Sequence, residues 1–532
     1  MFPQSIAPIA GSLAASTAVA ALPVMVVLLV LGVLRKPAWM AAGAGLAIAF
    51  TVATTGWAMP MPLALNAIAF GAVFALSPVI WIVINALLVY NIAVKSGQFD
   101  AFCRWLQRHL PNDRRVVLVV VGFCFSALLE GLSGFGTPVA IASSLLILVG
   151  FGPLEALVFV LIFNTAPVAY GALGTPVTVL GAVTGLPATT LGAMIGRQLP
   201  MIALLLPFYV TLLYGGLRSV KDLWPFLLAA GGSFAACQFI ASNFLDYTLT
   251  DVLSSMGSLV ATLLFLKVWR PAPDAAFAVT AADEPRAGPL PNNRGWLPWI
   301  LLTVLVILWT TLKIPAMGAQ KIPWPGLHQA ISITLYGGKP YDAVWNFQPL
   351  GTGTAILLAA VLTAVSARLG IRDFLGCVST TLRQYWRAGI TVMLIVSLAY
   401  LMNYSGLAYT LGQGVASTGR WFILLSPFLG WLAVMLSGSD TAGNALFGNL
   451  QVVAAHQLQL NPVLFAATNS SGGVMGKMIS PQNIATGVSV TNLAGQEGRV
   501  FARTFLHSII LTLLLGLLVA IQQFWIPWVI PH

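Results

Sequence analysis

Apolar runs of about 20 residues recur along almost the whole chain, and that is the length an α-helix needs to cross a bilayer's hydrocarbon core. The uninterrupted runs cover residues 13–34, 38–57, 78–92, 199–214, 225–243, 252–269, 297–312, 350–365, 388–402 and 505–525. Trp39, Trp57, Trp224, Trp269, Trp296, Trp386, Trp421 and Trp525 fall at or near their ends, where amphipathic rings settle at a membrane–water interface. The stretch 63–91 is too long for one span and carries Pro78, which predicts a short helix followed by a full one.

Two stretches, 116–198 and 421–504, are apolar but interrupted by Gly, Pro, Ser, Thr and Asn. The first holds Ser133-Gly-Phe-Gly-Thr137 and Asn164-Thr-Ala-Pro167, followed by Gly174-Thr-Pro176. The second holds Ser437-Gly-Ser-Asp-Thr441 and Asn469-Ser-Ser-Gly-Gly473, followed by Ser480-Pro481. Non-helical backbone at membrane depth survives only where protein or a polar cavity satisfies it. The two stretches also match in order. Ser133-Gly134 corresponds to Ser437-Gly438, Asn164-Thr165 to Asn469-Ser470, and Thr175-Pro176 to Ser480-Pro481, all at nearly constant spacing. Upstream, Ser96-Gly97 corresponds to Ser405-Gly406. A duplicated unit is expected, in an N-terminal half 1–269 and a C-terminal half 296–532, joined by a Pro-rich linker 270–295.

Composition sets the solvent. With 58% apolar and 7% charged residues, against about a quarter charged in an average globular chain, a soluble domain, a disordered chain and a nucleic-acid binder are excluded. Cys103, Cys124, Cys237 and Cys377 are scattered, and the five histidines form no close pair, so no metal or haem site is expected. No Lys or Arg precedes Arg35, so the first run reads as a retained span and not a cleaved signal. The net charge of +11 comes from basic residues in short loops, the positive-inside pattern. Taking those loops as cytoplasmic puts the linker inside and both termini outside, and makes the two halves opposite in orientation. Lys313, Lys321 and Lys339 break the pattern in an outer loop long enough to carry its own fold. The expectation is therefore an all-α polytopic membrane protein of about 12–14 transmembrane helices, with two inverted repeats containing broken or re-entrant helices.

Broken helices expose backbone N–H groups and a dipole end that attract an anion, while hydroxyls and carbonyls hold a cation. Ionisable groups inside the membrane mark pathways. Three fall in the broken stretches: Glu130 and Asp440 as candidate proton carriers, and Lys477 as the group to draw a substrate carboxylate. Ser133, Gly134, Thr137, Asn164, Thr165, Tyr170, Asn444, Asn469, Ser470 and Ser471 complete the candidate substrate site. The structural alternatives are an ion pair between Asp440 and Lys477, a bracing role for Glu130, and helix packing by the small polar residues. Asp246 and Asp251 read as solvated at an outer turn, and His456 and His507 as satisfied polar residues. Tyr170, Phe135 and Phe447 wall a small pocket or simply pack.

Several segments resemble the bacterial lactate permease family: Glu130-Gly-Leu-Ser-Gly-Phe-Gly-Thr-Pro-Val-Ala140, Asn164-Thr-Ala-Pro-Val-Ala-Tyr-Gly-Ala172, Asn403-Tyr-Ser-Gly406, Ser426-Pro-Phe-Leu-Gly-Trp431, Gly438-Ser-Asp-Thr441 with Asn444-Ala-Leu-Phe-Gly448, and Ser471-Gly-Gly-Val-Met-Gly-Lys-Met-Ile-Ser-Pro-Gln482. A departure is Ala442-Gly443, where relatives tend to carry two serines. The resemblance implies proton symport of L-lactate, D-lactate or glycolate across the bacterial inner membrane. It implies no enzymatic activity and no cofactor beyond the proton gradient. The expected partners are a small 2-hydroxy acid, protons and lipid, with a homodimer as the candidate assembly. The alternatives are a sodium-coupled carboxylate carrier and a passive organic-anion channel.

Overall fold

The computed structural model describes residues 1–132, 136–279, 293–491, 493 and 495–531. The N-terminal half opens with α1 (Leu13–Gly32), α2 (Ala38–Thr55) and α3 (Met61–Phe74), then α4 (Trp81–Lys95) and the short amphipathic α5 (Gln98–His109). Its first broken stretch is α6 (Arg114–Val117), wide turns through Leu118–Phe125, α7 (Ser126–Leu132), α8 (Thr137–Leu148), α9 (Pro153–Phe163), α10 (Gly171–Thr184) and α11 (Ala188–Ile195). The half closes with α12 (Leu199–Phe244) and α13 (Thr250–Val268). The second half contains α14 (Leu297–Thr311), α15 (Thr352–Ser366), α16 (Ile371–Ser405), α17 (Leu407–Ala416), α18 (Phe422–Ser437), α19 (Asp440–Gln457), α20 (Pro462–Lys477), α21 (Pro481–Val490) and α22 (Glu497–Phe524).

Among the described residues, 10 helices are long and apolar enough to cross a membrane, or 11 if the bent α9–α10 pair is one span. The expectation of about 12–14 counts separately runs that this length criterion joins. Two expected runs, 199–214 and 225–243, lie in the single element α12. It leaves helical geometry at Gly216 (φ +68°), a conformation glycine adopts without a Cβ penalty. Gly231 then packs on the backbone of Leu204, so α12 is a folded-back hairpin. The expected break in 63–91 is also present. Ser77, the residue before Pro78, leaves the helical region, as the proline ring demands.

The outer helices are inside-out. On α22, Leu506, Leu513, Leu514 and Leu517 face outward while Ser508, Leu511, Thr512 and Leu515 are buried, the arrangement of a helix with lipid on one side. The broken stretches form the centre. Every residue from Arg115 to Leu132, Asp440 to Ala455 and Leu464 to Ser480 is buried. Proline and small polar residues start these central helices. Ser439, Asn461 and Ser480 cap α19, α20 and α21, with prolines in the first turns of α20 and α21, positions where a missing N–H costs nothing. α8 packs on α21, α10 on α19 and α11 on α20, so the two broken stretches meet along several helices. Glycines allow α18 and α20 to touch. A Cβ at Gly430, Gly472 or Gly476 would strike the backbone of Asn469, Pro427 or Trp431 respectively.

The long loop before α15 does carry its own fold. Strands β1 (Phe2–Pro3), β2 (Gln320–Pro323), β3 (Ile331–Ile333), β4 (Lys339–Pro340) and β5 (Val344–Phe347) form two small sheets, β1-β3-β4 and β2-β5. At the opposite end, the described part of the linker is not free in solvent. Phe277 lies 4.4 Å from the buried Arg115 guanidinium, and the Val279 N–H donates to Asn112 Oδ1 at 2.9 Å. Arg115 is held by Asp113 at 2.7 Å and Asp222 at 3.6 Å.

Candidate functional site

The first broken stretch fails as a helix for a local reason. After Pro167 the chain bends, and α9 and α10 diverge by 64°. Ala172, Leu173 and Gly174 then take left-handed φ values of +44°, +56° and +73°. Such backbone is strained for Ala and Leu and persists only where the surroundings impose it. The strained turn stands beside Glu130. A Cβ on Gly171 would sit 3.0 Å from Glu130 Oε1, so the break brings bare backbone against a carboxylate.

Glu130, on α7, is 2% exposed. Its Oε1 accepts from Lys477 Nζ at 2.5 Å and its Oε2 from Asn164 Nδ2 at 3.1 Å. Lys477 ends α20, 5% exposed, so this ion pair ties one broken stretch to the other. The alternative pairing of Lys477 with Asp440 is not formed. The α20 C-terminus points the ammonium toward α7, while Asp440 sits at the start of α19. There Asp440 Oδ2 accepts from Ser470 Oγ at 2.5 Å and Asn444 Nδ2 at 3.2 Å, and its Oδ1 accepts nothing from the described residues.

Asn444 and Asn469 extend this network. Asn469 Nδ2 donates to Asn444 Oδ1 at 3.0 Å, and Asn444 Nδ2 also reaches the Pro176 carbonyl at 3.2 Å, just beyond the strained turn. Gln451 Nε2 donates to Asn469 Oδ1 at 3.3 Å, and Ser426 Oγ donates to Gln451 Oε1 at 2.8 Å. Asn164, Glu130, Lys477, Asp440, Asn444, Asn469 and Ser470 are thus gathered at the centre. Three other candidates serve their own surroundings. Thr165 donates to the Ile162 carbonyl, Tyr170 to the Gly192 carbonyl, and Ser471 to Gln198 Oε1 on another face of α20. Ser133, Gly134 and Phe135 lie outside the described residues, as does the Thr137 side chain.

Asp251 corrects the sequence reading most sharply. It is 1% exposed, because α13 begins at Thr250 and turns this carboxylate inward against Gly131. Asp246 does cap the preceding turn, accepting from the Thr248 N–H at 2.8 Å. The missed signal was periodic. Asp251, Ser255, Ser258 and Thr262 repeat at helical spacing on one buried face, the pattern of a polar stripe turned toward a neighbouring helix. Gln198, Gln451 and Ser426 were missed for a different reason. Each lies beside a more conspicuous residue that draws the reading away from it: Arg197 before Gln198, Asn449 two before Gln451, and Pro427 after Ser426.

Comparison with known proteins bears on this arrangement. Residues 16–526 match the family described as L-lactate permease. The chain belongs to that family. It is 39% identical to the glycolate permease GlcA of Escherichia coli K12, covering 97% of each chain. It is 39% identical to the L-lactate permease of Salmonella typhimurium, covering 98% of each, and 38% identical to that of Bacillus subtilis, covering 99% of each. Among solved structures, the YdaH transporter of Alcanivorax borkumensis aligns with a TM-score of 0.48 and 17% identity over 88% of this chain and 89% of that one. MtrF of Neisseria gonorrhoeae aligns at 0.43 and 14% identity, over 84% and 81%. As a family member the chain is a multi-pass membrane permease.

Proposed function

We propose that the protein imports small 2-hydroxymonocarboxylates, L-lactate with D-lactate and glycolate, by proton symport across the bacterial inner membrane. The names of its relatives support the substrate class. The observation that carries the mechanism is the buried Lys477–Glu130 pair. A substrate carboxylate and Glu130 compete for the same ammonium. When the substrate takes Lys477, Glu130 is left as an unpaired buried carboxylate, a form that burial disfavours, and it binds a proton. One anion and one proton then enter together, with no cofactor but the proton gradient. Asn164, already on Glu130, and the Asp440–Ser470–Asn444 group supply partners for the substrate hydroxyl and carboxylate.

The two broken stretches are proposed as inverted repeats, with the termini outside and alternating access produced by one bundle moving against the other. Two features support this. Left-handed glycines stand at one pair of corresponding points, Gly97 with Gly406. The packing of α8 on α21 and α10 on α19 is reciprocal.

Labelled lactate uptake into proteoliposomes under an imposed pH gradient tests the reading. Uptake should rise with inward acidity and show counterflow, which a channel lacks. Uptake that ignores the pH gradient and follows sodium would overturn the proton assignment.

A further inference from the structure

Among the described residues, the centre of the protein holds three buried carboxylates and one buried ammonium: Glu130, Asp251, Asp440 and Lys477. Lys477 is engaged by Glu130, and Asp440 accepts from Ser470 and Asn444. Asp251 differs from all of them. Neither carboxylate oxygen has a hydrogen-bond partner among the described residues, although the residue is 1% exposed. An ionised carboxylate is not stable in such a place, whereas a protonated one is tolerated.

Its position gives the proton somewhere to go. Asp251 Oδ2 would lie 3.1 Å from a Cβ on Gly131, the residue following Glu130. Because Gly131 has no side chain, none stands between the two helices at that point. Along the same face of α13, Ser255 and Ser258 donate to the Asp251 and Ala230 carbonyls at 2.7 and 2.8 Å. Ser255 thus satisfies a carbonyl of its own helix and Ser258 ties α13 to α12, and neither bond uses the carboxylate. The charged groups that face Asp251 are Glu130 and Lys477. Further along the same face of α13, the neutral Cys124 thiol meets Ser258 at 3.3 Å.

We propose that Asp251 is a second proton-carrying residue, which passes its proton to Glu130 when substrate releases Glu130 from Lys477. The O–H bond at Asp251 breaks and one forms at Glu130. Asp251 is then reprotonated from water on the side from which substrate entered. Each substrate anion bound is matched by one proton taken up. This inference rests on the proton-symport reading above.

The test compares the protein with Asp251→Asn in proteoliposomes, measuring pH-gradient-driven lactate uptake and lactate counterflow. Driven uptake should fall by about a hundredfold, the scale of a lost positioned proton transfer, while counterflow falls far less. A purely structural residue would lower both together, and that result overturns the proposal, as does driven uptake at the unmodified rate. If Asp251→Asn does not reach the membrane, Asp251→Glu decides: driven uptake with a displaced pH profile is expected, and an unchanged profile overturns the proposal. A pH-independent unmodified protein would instead overturn the symport reading itself.

Discussion

Breaking the Lys477–Glu130 pair from each side separates a competitive site from a structural brace. Lys477→Gln leaves Glu130 with the Asn164 amide at 3.1 Å as its partner among the described residues, and Glu130→Gln leaves Lys477 facing a neutral amide. Removing one partner of a buried pair typically costs about 3–5 kcal/mol, because the other charge stays behind, whereas removing both is far milder. Detergent-solubilised single variants should therefore unfold well before the parent in denaturant titrations. The double variant should recover most of the loss. Substrate binding adds a second, signed readout. Lys477→Gln removes a charge-assisted contact worth about 1.5–3 kcal/mol, so lactate should bind roughly 10- to 150-fold more weakly. Glu130→Gln removes the competitor for Lys477, so lactate should bind more tightly and with less dependence on pH. Both can be read by intrinsic tryptophan fluorescence during lactate titration. Equal weakening of binding by both substitutions, with additive losses of stability, would refute the competition.

Gly472→Ala should destabilise by about 1–3 kcal/mol or more, since the added methyl strikes the Pro427 backbone and overpacking is penalised. Gly516→Ala, where the new methyl meets only ordinary contacts near 3.6 Å, should be neutral or gain up to about 1 kcal/mol of helix propensity; thermal melting in detergent checks the opposite signs. Phe277→Ala removes the ring over Arg115, a contact worth roughly 0.5–2 kcal/mol, so residues 270–279 should be cut sooner in limited proteolysis of inside-out vesicles. Burial, followed by the Asp100 carboxylate, pushes the Cys103 thiol up to about 12. Because the thiolate is the nucleophile, maleimide labelling of Cys103 should be slow at neutral pH and rise steadily as alkalinity increases; rapid labelling at pH 7 would contradict that environment.

The sequence displayed the membrane architecture because hydrophobic length is a direct readout of bilayer thickness, and it displayed the broken stretches because Gly, Pro and Asn at membrane depth have few other uses. Glu130, Asp440 and Lys477 stood out for the same reason: a charge within an apolar stretch is visible without coordinates. Their pairing was not visible. Lys477 and Glu130 are 347 positions apart, and only the packing of the two broken stretches decides which carboxylate the ammonium meets. Asp251 was hidden by its neighbours. Asp246 and two threonines just before it resemble a solvated turn, and the turn is real, yet it ends one residue too early to expose Asp251. A length criterion joins crossings that the sequence breaks keep apart. The structure keeps 199–244 as one folded-back element and bends α9–α10 within the protein.

In the proposed cycle, one ammonium serves three resident carboxylates and, during transport, a fourth that arrives with the substrate. That ratio is what makes the coupling strict. With the site empty, Lys477 on Glu130 is a neutral unit, and Asp251 and Asp440 contribute no net charge when protonated. If substrate displaced Glu130 without a proton, the centre would carry one uncompensated negative charge. Insertion scales put such a charge at about 2.5–3.5 kcal/mol, which disfavours the uncoupled state by roughly a hundredfold. The return without substrate is protected in the same way, since a proton retained on Glu130 would leave Lys477 as an unpaired cation. Slip is thus opposed in both directions by the same residue. It follows that neutralising Lys477 should loosen coupling as well as weaken binding: its residual transport should show a smaller ratio of driven to undriven uptake than the parent, and a preserved ratio would place the coupling charge elsewhere.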